Sequence, residues 1–123
     1  MIDSFGRRIN YLRISLTDRC NLRCKYCMPE TGINKFPDEE MLKLEEIYKI
    51  VNAFVELGID KIRFTGGEPL VRNGITNLIS KISELDRVKE LTMTTNGTLL
   101  KKYAKDLKEA GLNRVNISLD TLN

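Results

Sequence analysis

With 123 residues, 41% of them hydrophobic and 30% charged, the chain is at most one ordinary globular domain, and neither disorder nor a membrane-spanning run is indicated. The net charge of +3 is spread along the sequence without a run of like charges or aromatic-basic interleaving, which argues against nucleic acid as a partner. The opening stretch MIDSFGRRINYLR is polar where a signal peptide needs an apolar run, so the chain reads as cytoplasmic, a compartment in which thiols stay reduced.

Taken in order, Tyr11 to Leu16 alternates strictly, with Leu12, Ile14 and Leu16 opposite Tyr11, Arg13 and Ser15, the pattern of a strand. From Leu44 to Leu57 the apolar residues Ile47, Ile50, Val51, Phe54 and Leu57 fall at helical spacing, and Gly58 follows as a stop signal. Lys61 to Thr65 reads as a second strand. Ile75, Leu78, Ile79, Ile82 and Leu85 form a second helical face. Glu90 to Thr95 is a third strand closed by Asn96-Gly97. A third helix is expected to bury Leu100, Tyr103, Ala104, Leu107 and Ala110 before Gly111, and Arg114 to Leu119 is a fourth strand.

Strand-helix alternation predicts an α/β fold built on a parallel sheet with right-handed crossovers. Strands covered on both faces normally read as continuous apolar runs. Here Arg13, Ser15, Arg63, Thr65, Thr92, Thr94, Asn116 and Ser118 lie opposite the aliphatic positions. If the aliphatic faces meet the helices, the polar faces look into a solvated or ligand-filled space, as in a sheet curving toward a barrel. The fourth strand's aliphatic face wants a covering helix, so the chain is expected to be the N-terminal part of a longer protein.

Cys20, Cys24 and Cys27 stand at C-x3-C-x2-C spacing, and the chain has no other cysteine and no histidine. A structural zinc site wants four protein ligands and is short of one. Buried free cysteine is a poor description of a loop whose neighbours are Asp18, Arg19, Asn21, Arg23 and Lys25. An iron-sulfur cluster is usually held by four thiolates, so three would leave one iron open to a substrate or cofactor, and the nearby basic side chains would favour thiolate forms.

This spacing, with Tyr26 before the last cysteine and Gly66-Gly67-Glu68-Pro69 after the second strand, resembles the signature of the radical S-adenosylmethionine enzymes. The runs FGR at 5–7, YLRISLTDRCNLRCKYCMP at 11–29, TGGEPLVR at 65–72 and TTNG at 94–97 resemble the branch of that family that cyclises GTP in molybdenum cofactor biosynthesis. The resemblance implies a radical SAM core domain over residues 1–123, as the first four βα-type units of a partial (β/α)6 TIM-like barrel. It implies a 4Fe-4S cluster on Cys20, Cys24 and Cys27, whose open iron chelates S-adenosyl-L-methionine, and a 5′-deoxyadenosyl radical that takes the C3′ hydrogen of GTP. Tyr26, Gly67 and Ser118 are implied as S-adenosylmethionine contacts, and Arg13, Arg63 and Thr94 as GTP contacts. An arginine fork suits a triphosphate, and the two glycines would let a ligand approach the backbone. Glu68 is expected to order the loop that carries them.

A second 4Fe-4S cluster is expected only in the C-terminal part that the sequence lacks. An electron-donor protein is implied as a partner, with a homodimer as one assembly open to the full-length protein. Catalysis by these residues alone is therefore not implied. Two alternatives stay open: a radical SAM enzyme with a different substrate, and a noncatalytic iron-sulfur electron-transfer module. No P-loop occurs, and a Ser-His-Asp site is excluded because histidine is absent.

Overall fold

A computed structural model describes residues 1–120. Four strands, β1 (Tyr11–Ser15), β2 (Lys61–Thr65), β3 (Glu90–Thr95) and β4 (Arg114–Ile117), form one sheet in the order β1-β2-β3-β4, every pair parallel. Between them run α1 (Leu44–Glu56), α2 (Ile75–Ser83) and α3 (Leu100–Glu109). The α/β parallel-sheet expectation therefore holds, and no helix among the described residues is long and apolar enough to cross a membrane.

The aliphatic strand faces do meet the helices. Ile62 and Phe64 of β2 and Leu91 and Met93 of β3 are buried together with Ile47, Val51 and Val55 of α1, Ile75, Leu78, Ile79 and Ile82 of α2, and Leu107 of α3. Each buried side chain of this size contributes about 1.5–3 kcal/mol relative to exposure, which makes this layer the main source of stability. At the start of α1 the Glu46 carboxylate accepts the Lys43 amide at 2.7 Å, answering a backbone N–H left free at the helix start. At its end Gly58 takes φ +100° and donates to the Val55 carbonyl.

Several expectations shift at the margins. Ala104 is exposed, and Leu100 and Tyr103 are half-buried, because α3 stands at the end of the helix layer. Ile50 and Leu57 lie on the rim of α1 and are exposed, while Leu85 falls just beyond α2 yet still packs on the core. β4 ends at Ile117, short of the expected Leu119. Ile117 and Leu119 are both exposed, in keeping with an aliphatic face that wants a cover. Two single-turn 3-10 helices, Asp38–Glu40 and Pro69–Val71, lack a periodic signal and were not expected.

The opposite face carries the polar rows. Arg13 stands beside Arg63, Arg63 beside Thr92, and Thr92 beside Arg114; one step toward the carboxyl ends, Ser15 pairs with Thr65 and Thr94 with Asn116.

Candidate functional site

Three loops leave the carboxyl ends of β1, β2 and β3, the place where open α/β sheets gather their ligands. The loop after β1 carries all three cysteines. It is stitched to the loop after β2 by main chain: Gly67 N–H donates to the Thr17 carbonyl at 2.7 Å and Glu68 N–H to the Arg19 carbonyl at 2.8 Å. A Cβ on Gly66 would lie 2.8 Å from the Thr17 carbonyl oxygen, and one on Gly67 would collide with the Arg19 carbonyl. The pair of glycines was expected to admit a ligand. What approaches their backbone here is the chain's own segment 17–19, so their small size is already required to seat the cysteine loop.

Glu68 is the hub behind this seam. Its side chain is fully buried and accepts three hydrogen bonds, from the Leu70 amide at 3.1 Å, the Thr95 hydroxyl at 2.7 Å and the Asn96 amide at 2.7 Å. A buried carboxyl is tolerated when its oxygens are answered in this way. The loop after β2 is thereby fixed to the end of β3, as expected of Glu68. Arg72 adds a second clamp, donating to the carbonyls of Leu16 and Leu42. Burial pushes its guanidinium below the usual arginine range.

All three cysteines are free thiols, Cys20 and Cys24 half-buried and Cys27 exposed. The Cys20 sulfur accepts the Leu22 amide at 3.4 Å and the Asn96 side-chain amide at 3.9 Å. Cys27 and Met28 both donate their amides to the Cys24 carbonyl at 2.9 Å, closing a turn that sets the last two cysteines on one bend. Two of the basic neighbours are engaged away from the thiols. Arg19 is paired with Asp38, and Arg23 turns back onto the carbonyls of Cys20 and Leu22. Burial pushes the Cys24 thiol up, and the Asp120 carboxylate nearby pushes it further.

Tyr26 projects outward, 75% exposed, and its hydroxyl donates to the Asp120 carboxylate at 2.9 Å. That bond raises the tyrosine above its ordinary range. It also ties the cysteine loop to the segment after β4. Ser118 lies one residue past β4 and is exposed, held by its amide on the Thr95 carbonyl at 2.9 Å. Arg13, Arg63 and Thr94 share the polar face, in adjacent rows. Arg63 is half-buried, reaches the Thr92 hydroxyl at 3.3 Å and lies 5.7 Å from the Tyr11 ring centroid, a cation-π distance. Arg13 is exposed beside it with no hydrogen bond from its side chain among those described. Two arginines in register on neighbouring strands of one face are a favourable setting for a polyanion.

Sequence reasoning passed over Asn21, Asn96, Thr98 and Asp120. Asn96-Gly97 carried a turn signal, and nothing local showed that its side chain reaches the cysteine loop 75 residues earlier.

The chain matches the Radical SAM superfamily over residues 14–123, and it belongs to that family. It is 62% identical over 123 residues to GTP 3′,8-cyclase of Peptoclostridium acidaminophilum and 63% identical over 123 residues to GTP 3′,8-cyclase of Alkaliphilus oremlandii. In each case the match takes in all of this chain and 38% of the relative, so the chain spans well under half the length of these proteins. Among solved structures it resembles BtrN in complex with AdoMet and 2-DOIA, with a TM-score of 0.72 and 21% identity over 90% of this chain and 46% of that one. It also resembles Streptococcus suis SuiB bound to precursor peptide SuiA, with a TM-score of 0.65 and 26% identity over 93% of this chain and 25% of that one. Both likenesses support the fold.

The family implies a 4Fe-4S cluster and S-adenosylmethionine. The donor chemistry here fits such a cluster: three free thiols share one loop, and one sulfur already accepts two N–H groups. Among the described residues no three cysteine, aspartate or glutamate side chains are drawn together closely enough to cage a single metal ion.

Proposed function

We propose that residues 1–123 are the N-terminal portion of the radical SAM core domain of a GTP 3′,8-cyclase, the enzyme that converts GTP to 3′,8-cyclo-7,8-dihydro-GTP in molybdenum cofactor biosynthesis. The observation that carries the reading is the identity of 62–63% to proteins of that name along the whole of this chain. The placement of the free thiols at the carboxyl end of a parallel sheet accords with it.

In this reading Cys20, Cys24 and Cys27 hold a 4Fe-4S cluster, and Tyr26, Gly67 and Ser118 contact S-adenosylmethionine. When bound, these groups supply the one-electron chemistry that removes the C3′ hydrogen of the nucleotide ribose. The chain's own residues do the rest. Gly66 and Gly67 let the loop after β2 pack against segment 17–19, and Glu68 locks that loop to β3, so the cysteine loop is referenced to the sheet. Arg13 and Arg63, in register on neighbouring strands, offer guanidinium groups to the triphosphate, and Thr94, one row further along the same face, offers a hydroxyl. A substrate held on this face lies on the side of the sheet away from the helices, near the loop that carries the thiols.

The same reading assigns a second 4Fe-4S cluster to residues outside this chain, an electron-donor protein as redox partner and the cytoplasm as the location, and leaves a homodimer as one assembly open to the full-length protein. GTP binding tests the substrate assignment: Arg63→Ala in the reconstituted protein is expected to weaken GTP affinity about tenfold or more while leaving the cluster spectrum unchanged. Unchanged GTP affinity would reject the role of Arg63 and favour a family member with another substrate.

A further inference from the structure

The Asn96 side chain stands where three tethers meet. Its Nδ2 donates to the Asn21 Oδ1 at 2.8 Å and lies 3.9 Å from the Cys20 sulfur. Its Oδ1 accepts both the Thr98 amide at 3.0 Å and the Thr98 hydroxyl at 2.7 Å, and Asn21 Nδ2 returns a bond to Thr98 Oγ1 at 2.9 Å. Its own amide is fixed on the buried Glu68 carboxyl at 2.7 Å. The first cysteine is thus linked, through one half-buried amide, to the most deeply held carboxyl of the domain.

From this geometry we infer that Asn96 is a positioning residue: it holds the Cys20 sulfur and the start of the cysteine loop in register with the ends of β2 and β3, and it donates an N–H to that sulfur when a cluster is bound. The physical grounds are two. An amide group whose oxygen is fixed by two donors can turn its nitrogen in only one direction, and that direction is the cysteine loop. Hydrogen bonds to cluster sulfurs are a principal means by which a protein sets a cluster's potential, stabilising the more negative reduced state. The electrochemical half of the inference rests on the cluster reading above; the tether half does not.

The test uses the 123-residue chain in two states. In the iron-free chain, Asn96→Ala is expected to speed amide hydrogen exchange about tenfold at Leu22, Gly67 and Glu68, the amides that are hydrogen-bonded in and against the cysteine loop, with the helices unchanged. After anaerobic reconstitution the same variant is expected to make the cluster harder to reduce by about tenfold in the equilibrium, about 59 mV for one electron. Thr98→Val separates the parts by degree: it removes one of Asn21's two bonds and one of the two donors on the Asn96 oxygen, while the Thr98 amide still holds that oxygen with the nitrogen near Cys20, so faster seam exchange with a shift in potential well below that of Asn96→Ala is expected. A potential that stays fixed in Asn96→Ala overturns the sulfur contact, and unchanged exchange at Leu22, Gly67 and Glu68 overturns the tether. If the unsubstituted chain forms no cluster, the cluster reading fails with the sulfur contact, and hydrogen exchange still decides the tether.

Discussion

Two buried carboxyl groups bracket β2, and they are satisfied in opposite ways. Asp60, at the amino end, accepts Lys89 Nζ at 2.8 Å and Asn10 Nδ2 at 2.9 Å, with Arg8 at 3.8 Å. Glu68, at the carboxyl end, is answered entirely by uncharged donors, two backbone amides and the Thr95 hydroxyl. Surface cations, Lys89 and Arg8, close the amino end. At the carboxyl end, a cation spent on Glu68 would compete with the arginines of the polar face for any anionic ligand. The difference teaches that the same task, holding a loop to a sheet, is solved by charge at the end away from the candidate site and by neutral hydrogen bonds at the end that carries it.

Breaking the Glu68 hub is expected to have the largest effect. Glu68→Ala leaves three donors unanswered in a buried place and should lower stability by about 3 kcal/mol or more, read by denaturant unfolding. Gly67→Ala comes next, at about 1–3 kcal/mol, because its new methyl meets the Arg19 backbone and not a yielding side chain. Hydrogen exchange should localise that damage to the cysteine loop; equal loosening throughout the sheet would contradict the seam described here.

The amino end should respond to pH. The Lys89 hydrogen bond, ahead of any other influence, holds the Asp60 carboxyl below its ordinary range. A depressed folded value contributes stability above the unfolded value, about pH 4, which is lost as the pH falls through the folded value. Asp60→Asn is therefore expected to cost about 1 kcal/mol at neutral pH, a figure kept small by the exposure of Lys89, and progressively less below about pH 4. A penalty independent of pH would contradict the ion-pair account. Smallest of all is Arg87→Ala: its pair with Glu56, at 3.4 Å, is solvent-exposed on both sides and should change unfolding by less than about 0.5 kcal/mol.

The same contrast marks what the sequence could show. Periodicity revealed the helix-covered face, because Val51, Ile79 and Met93 recur at spacings set by the elements themselves. The alternation of Arg13, Arg63 and Thr94 with aliphatic residues likewise predicted one polar face. Ala104 escaped because burial at the end of a helix layer depends on the neighbouring element and not on local period. The three cysteines announced themselves by spacing, whereas the parts that seat them did not. Glu68 meets Thr95 27 residues on, and Asn96 meets Asn21 75 residues back. Such contacts carry no local pattern, and the glycines pointed to close approach without saying what approaches.

The central claim is that the loop at residues 20–27 holds a cluster with one iron open to S-adenosylmethionine. Electron paramagnetic resonance tests it most directly, on this chain reconstituted with iron and sulfide without oxygen and reduced, recorded with and without the cofactor. The account predicts a 4Fe-4S signal that changes when S-adenosylmethionine is added and that is absent from Cys24→Ala. A signal indifferent to the cofactor, or one that survives in Cys24→Ala, would contradict it.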